Sequence, residues 1–145
     1  MKVVVQRVSS SSVSVGGEIV GKINQGLLIL LGITHTDTEQ NADWLVNKII
    51  NMRIFSDLED KLNLSLKDIA GSILVISQFT LYAEAEKGNR PSFTSAARPE
   101  IAKPLYEYFI DKLKINNILV ESGIFGADMQ IELINDGPIT IILEK

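Results

Sequence analysis

Ser72-Ile73-Leu74-Val75-Ile76-Ser77-Gln78-Phe79-Thr80-Leu81 opens as an apolar run and closes on hydrogen-bonding side chains. Aliphatic and β-branched residues dominate its first half and predict a buried strand. At its end a hydroxyl, an amide and a second hydroxyl surround one Phe. A strand end that exposes such groups beside a core is a natural place for a site. On composition alone, an ordinary strand with outward Ser, Gln and Thr reads the same way, so the rest of the chain has to decide.

Upstream, residues 2–9 alternate and are rich in Val, which makes a first strand; Val13 and Val15 resume the alternation after Ser9-Ser10-Ser11-Ser12. Gly16-Gly17 is a two-residue hairpin signal, with residues 18–23 pairing back. Leu27-Leu28-Ile29-Leu30-Leu31-Gly32-Ile33 reads as a central strand, apolar on both faces. A helix then opens at Thr36 or Asp37, with Glu39 or Gln40 at capping-box spacing. Its expected buried stripe is Trp44, Leu45, Lys48, Ile49 and Met52. His35, in the approach to this helix, reads as a cap or surface residue. Residues 56–71 read as a polar loop with short extended pieces.

Downstream, residues 82–93 form a second unusual region. Gly88, Asn89 and Pro91 break regular structure, while Lys87 and Arg90 carry donors suited to phosphate or carboxylate. A second helix begins near Ser95, with Pro99 and Glu100 in its first turns and Ile101, Leu105, Tyr108, Phe109 and Leu113 as its stripe. Strands follow at 118–121, 130–135 and 139–144, with Asp136-Gly137-Pro138 as a turn. Two helices among hairpin-linked strands give an α+β fold: residues 1–145 as a single domain, a largely antiparallel, barrel-like sheet with two main helices packed on it.

The totals narrow the function. The 145 residues suffice for one domain with a sizeable core, and 46% apolar with 22% charged residues is a soluble globular composition. No apolar run nears the roughly 18 residues of a bilayer span. The N-terminal stretch lacks a small-residue cleavage site and continues as a strand, so a cytoplasmic protein is expected. The chain has no Cys and one His, which excludes disulfides, zinc-thiolate sites and Cys nucleophiles, and leaves His35 as the only imidazole for a triad. A net charge of −4 argues against a grip on long nucleic acid, though not against contact with a few nucleotides.

Four motifs occur in order: Ser77-Gln78-Phe79-Thr80, Lys87-Gly88-Asn89-Arg90-Pro91-Ser92-Phe93, Phe125-Gly126-Ala127-Asp128-Met129 and Asn135-Asp136-Gly137-Pro138-Ile139-Thr140. Together they closely resemble the D-aminoacyl-tRNA deacylase (D-Tyr-tRNA deacylase) family, over essentially the whole chain. Ile139 departs conservatively from the Val common after Gly-Pro.

The resemblance implies hydrolysis of the ester between a D-amino acid and the terminal adenosine of tRNA, with no cofactor and no metal. It implies a homodimer in which a cis Gly137-Pro138 acts in trans as a chiral gate. Gly lets backbone approach closely and Pro locks it. Ser77, Gln78, Phe79 and Thr80 would form the pocket. The Phe79 N–H, with Gln78, would stabilise the oxyanion. Thr80 either attacks or only orients. Substrate assistance by the ribose 2′-OH fits the missing base better, since an unactivated Thr hydroxyl is a poor nucleophile. Phe125 and Met129 would line the amino-acid side, and Arg7 would brace the Gly-Pro loop. Achiral glycyl-tRNA presents no L side chain and is expected to be cleaved too. The rival readings are a non-catalytic module for nucleotide ends or small metabolites, and hydrolysis by a Thr80 nucleophile.

Overall fold

The computed structural model describes residues 1–86 and 88–145. Strand β1 (Lys2–Val15) runs the length of the sheet. Along one side it pairs antiparallel with β8 (Gln130–Glu144); along the other it pairs antiparallel with β3 (Gly26–Gly32) and then β2 (Glu18–Ile23). Gly16 and Gly17 both adopt positive φ in the β1–β2 hairpin. β2 also packs against β6 (Ser72–Ser77) and β7 (Leu119–Ser122), so the sheet curls toward a barrel.

Two pairings in this mostly antiparallel sheet are parallel: β3 with β6, and β6 with β7. The first crossover carries helix α1 (Glu39–Asn51) and a small hairpin of β4 (Phe55–Ser56) and β5 (Leu62–Leu64); the second carries helix α2 (Pro99–Ile115). This explains why the β3 and β6 runs are apolar throughout: a strand covered on both faces has no polar side to show. Gly26 is needed where they begin, because a Cβ there would sit 1.9 Å from the Ser72 carbonyl oxygen.

The larger core lies between the sheet and the two helices, with Val3, Val5, Leu27, Ile29, Ile73 and Val75 facing helix residues such as Leu45, Ile49 and Phe109. A smaller one, made of Val8, Val13, Ile23, Leu28, Leu74 and Ile76, fills the other face. Burying side chains of this size contributes about 1.5–3 kcal/mol each.

Both helical stripes sit one position away from the sequence expectation. In α1 the buried residues are Ala42, Leu45, Val46, Ile49 and Ile50. Trp44 is half exposed under the Lys145 ammonium, 5.5 Å from its ring centroid, and Lys48 is solvated. In α2 they are Ala102, Tyr106, Phe109, Ile110 and Leu113; Ile101 faces solvent. The N-cap of α1 is Thr38, whose N–H donates to Asn41 Oδ1 at 2.8 Å. Neither Thr36 nor Asp37 caps it, because Asp37 is engaged by the Met1 ammonium and accepts the Thr34 N–H at 2.7 Å. No described helix is long and apolar enough to cross a membrane.

Residues 130–144 form one strand with an expanded bulge where the sequence predicts a turn between two strands. Gln6 faces Thr140 and Val8 faces Asn135, so Arg7 alone stands opposite residues 136–139. The Gly137–Pro138 bond is cis, and Gly137 has φ +128.

Candidate active site

The end of β6 delivers Ser77 beside Leu31 of β3, and Gln78 N–H extends the pairing to Leu31 O at 2.8 Å. The chain then tightens into a 3-10 turn, Phe79–Tyr82, closed by Leu81 N–H to Gln78 O at 3.2 Å. A turn of this kind leaves its first N–H groups without internal acceptors. Among the described residues, the N–H groups of Phe79 and Thr80 meet neither a backbone nor a side-chain acceptor. The Gln78 N–H is committed to Leu31, which leaves Gln78 only its side chain for a ligand, and that amide donates to Thr80 Oγ1 at 2.5 Å.

This turn borders a cavity of about 620 Å³. Ser77, Gln78 and Phe79 line it together with Phe125 and Met129, so the structure brings five of the nine sequence-predicted site residues to one place. Phe125 is held by Tyr106, whose ring lies 5.6 Å away and whose hydroxyl donates to Val75 O at 2.9 Å. Burial pushes the Tyr106 phenol up to about 12, a Ser122 hydrogen bond opposing, so this wall is neutral near pH 7. Thr80 is exposed beside the cavity without lining it.

Three further lining residues escaped the sequence reading. Phe93 meets Phe79 edge to face at 5.1 Å, and both rings are exposed at the mouth. Among the described residues, Arg98 and Asp128 are the charged ones in the lining. Phe93 and Asp128 stood in motifs already singled out; Arg98 had no signal beyond preceding Pro99. Arg90 is exposed and does not line the cavity, and Lys87 lies outside the described residues. The His35 imidazole is engaged with Thr94 O at 3.0 Å. Among the described residues, no three His, Asp or Glu side chains gather as a metal cluster would.

Arg7, Gly137 and Pro138 form a separate constellation. Arg7 is 8% exposed; its Nη1 donates to Ile54 O at 2.8 Å, and its Nε to Asp136 O at 3.0 Å, with Asp136 Oδ2 at 3.2 Å. Asn135 Oδ1 accepts the Ile139 N–H at 3.0 Å. A Cβ on Gly137 would lie 3.0 Å from Ile139 N and 3.1 Å from Arg7 Nη2, so a side chain there would crowd both, on a φ of +128 that L residues rarely adopt. Gly137 and Pro138 themselves are exposed and do not line the cavity. Through the register, Gly137 is level with Arg7, Leu27 and Ile73, four residues short of Ser77. At about 3.3 Å per residue this is roughly 13 Å along the strands, and three strand spacings add about 14 Å across them.

Free backbone donors at the head of a turn, beside an apolar cavity with polar groups at one end, define a site for a small group carrying a carbonyl or an oxyanion. The D-Tyr-tRNA(Tyr) deacylase family matches residues 4–144, and the chain belongs to that family, whose members are hydrolases acting on D-aminoacyl-tRNA. A D-aminoacyl-tRNA deacylase of Fusobacterium nucleatum subsp. nucleatum is 58% identical over 144 residues, covering 99% of this chain and 95% of its own. The solved structure titled c-Myc DNA Unwinding Element Binding Protein superposes with a TM-score of 0.93 at 43% identity, over 100% of this chain and 99% of its own. A probable eukaryotic D-amino acid tRNA deacylase shares the fold, with a TM-score of 0.80 at 17% identity, over 98% of this chain and 97% of its own.

Proposed function

We propose that this chain performs its family's reaction, hydrolysis of D-aminoacyl-tRNA, with the aminoacylated 3′ end in the cavity bordered by Ser77, Gln78 and Phe79. Water adds to the ester carbonyl carbon, and the carbonyl oxygen takes up negative charge against the Phe79 N–H, with the Thr80 N–H as second donor. The bond from carbon to the ribose oxygen then breaks, that oxygen takes a proton, and free D-amino acid leaves. The observation that carries this reading is the unengaged Phe79 N–H at a cavity, with that of Thr80 beside it, where the lining among the described residues holds no imidazole or amine. Among the described residues the partner of Thr80 Oγ1 is the Gln78 amide, and an amide does not take its proton. The terminal ribose 2′-OH, adjacent to the ester, is then the group that activates water, and Thr80 orients. The test replaces the terminal adenosine of D-Tyr-tRNA by 2′-deoxyadenosine. Cleavage slowed at least about a hundredfold, the usual worth of a positioned acid–base group, is expected. Undiminished cleavage overturns the assistance.

Selection of the D hand belongs to Gly137 and Pro138, delivered by a second copy of the chain. Their separation from the cavity within one chain supports delivery in trans. So does β8, which among the described residues has one unpaired edge, no fully buried residue, and Leu133, Ile134 and Ile142 exposed. A long uncovered edge with apolar side chains favours association. Because the gate rejects L side chains, glycyl-tRNA passes it. Ile142→Glu is expected to give monomers in light scattering that lose D-selective hydrolysis; active monomers would refute delivery in trans.

A further inference from the structure

We infer that Arg98 binds the phosphate on the 5′ side of the terminal adenosine, fixing how far the tRNA end enters the cavity. The inference rests on the deacylase reading. Among the described residues of the lining, Arg98 is the one cation and Asp128 the one carboxylate, and Asp128 belongs to a different wall, the segment between β7 and β8. Arg98 stands at a fixed point. Ala96 bridges to Thr34, and the Ala97 N–H donates to Ile33 O at 2.9 Å, which extends the sheet beyond the level of Leu31 and Ser77. The next residue is Arg98, whose carbonyl accepts the first N–H groups of α2, from Ile101 at 3.0 Å and Ala102 at 2.9 Å. Its backbone is held from both sides while its side chain is exposed, and among the described residues it makes no ion pair and caps no N–H.

The substrate supplies what such a group lacks. The ester oxygen and the 5′ phosphate belong to one ribose, so a cavity that holds the ester has that phosphate at its rim. A guanidinium offers it paired donors in a plane. The overall charge of −4 repels RNA at long range, so a local cation is needed wherever a phosphate comes close. The contact exists equally before and during the chemical step, so it lowers KM and leaves kcat alone.

The test compares two minimal substrates, the 3′-O-D-tyrosyl esters of adenosine and of adenosine 5′-monophosphate. For the wild type, KM for the phosphorylated ester is expected to be about five- to tenfold lower, the worth of one solvent-exposed charged hydrogen-bonded contact. Arg98→Gln should bring the ratio of the two KM values close to one, and Arg98→Lys should restore part of it. A ratio that survives in Arg98→Gln overturns the assignment, as does a wild type that treats the two esters alike. A wild type that cleaves neither D ester overturns the deacylase reading itself, and the inference with it.

Discussion

Replacing Arg7 by Met tests whether a buried guanidinium holds the Gly137–Pro138 bulge in place. Met keeps most of the apolar stem and removes the donors. The Ile54 carbonyl then loses its bond from Nη1 in a buried setting, which costs about 1–3 kcal/mol. The two contacts to Asp136 count for less, because that side chain is 45% exposed and water replaces the donor; together they contribute about 1 kcal/mol. Relief from holding a guanidinium out of water trims the sum. The net expectation is a loss of about 2 kcal/mol, or a urea midpoint lowered by about 1 M at unchanged slope. Melts at one fixed chain concentration are required, since association would add its own stabilisation. Asp136→Asn is the control, expected within about 1 kcal/mol of wild type. Amide exchange at Ile139 should accelerate in Arg7→Met well beyond the global change, because its N–H to Asn135 lies in the released bulge. If Arg7→Met unfolds within about 0.5 kcal/mol of wild type, or Asp136→Asn is equally damaging, the brace is not Arg7.

Two further perturbations probe the frame around the site. Gly26→Ala places a methyl 1.9 Å from Ser72 O and should destabilise by at least about 3 kcal/mol in urea, whereas Gly16→Ala, with open space but φ +59, should lose only about 1–2; equal losses would contradict the close approach of β3 and β6. Burial raises the Tyr106 phenol from its ordinary 10.0 to about 12, so its contribution is whole below pH 10 and is lost as pH rises toward 12. Tyr106→Phe should therefore flatten the fall in stability between pH 9 and pH 11, both read by urea unfolding, at a neutral-pH loss of about 1 kcal/mol, because Val75 O also accepts from Gly123 N–H. Tyr82, raised by burial and by Asp37 and Glu144, leaves a residual slope in both proteins. Parallel curves would contradict the assignment.

What the sequence made legible follows from the range of the interactions involved. Runs such as Leu27–Ile33 and Ser72–Val75 announce strands because their composition is local, yet nothing local says that they pair with each other and in parallel. The α1 cap shifted to Thr38 because the Met1 ammonium, distant in sequence, claims Asp37. Trp44 and Ile101 look like core residues by type, but tertiary packing turned each helix one position, leaving Trp44 to a cation from the C-terminus. At the site, Ser77, Gln78 and Phe79 were legible as polar groups closing a buried strand, and Phe125 and Met129 through the motif that carries them. Arg98 was not, since its place depends on Ala97 joining Ile33 across sixty-odd residues of chain.

The most direct measurement is deacylation of D-Tyr-tRNA and L-Tyr-tRNA side by side, by wild type and Thr80→Ala. Rapid loss of the D ester alone, retained within about tenfold in the variant, is the predicted result, since orientation is a smaller effect than nucleophilic attack. Collapse of activity in the variant would make Thr80 the nucleophile. Failure of the wild type to distinguish the two esters would contradict the account at its centre.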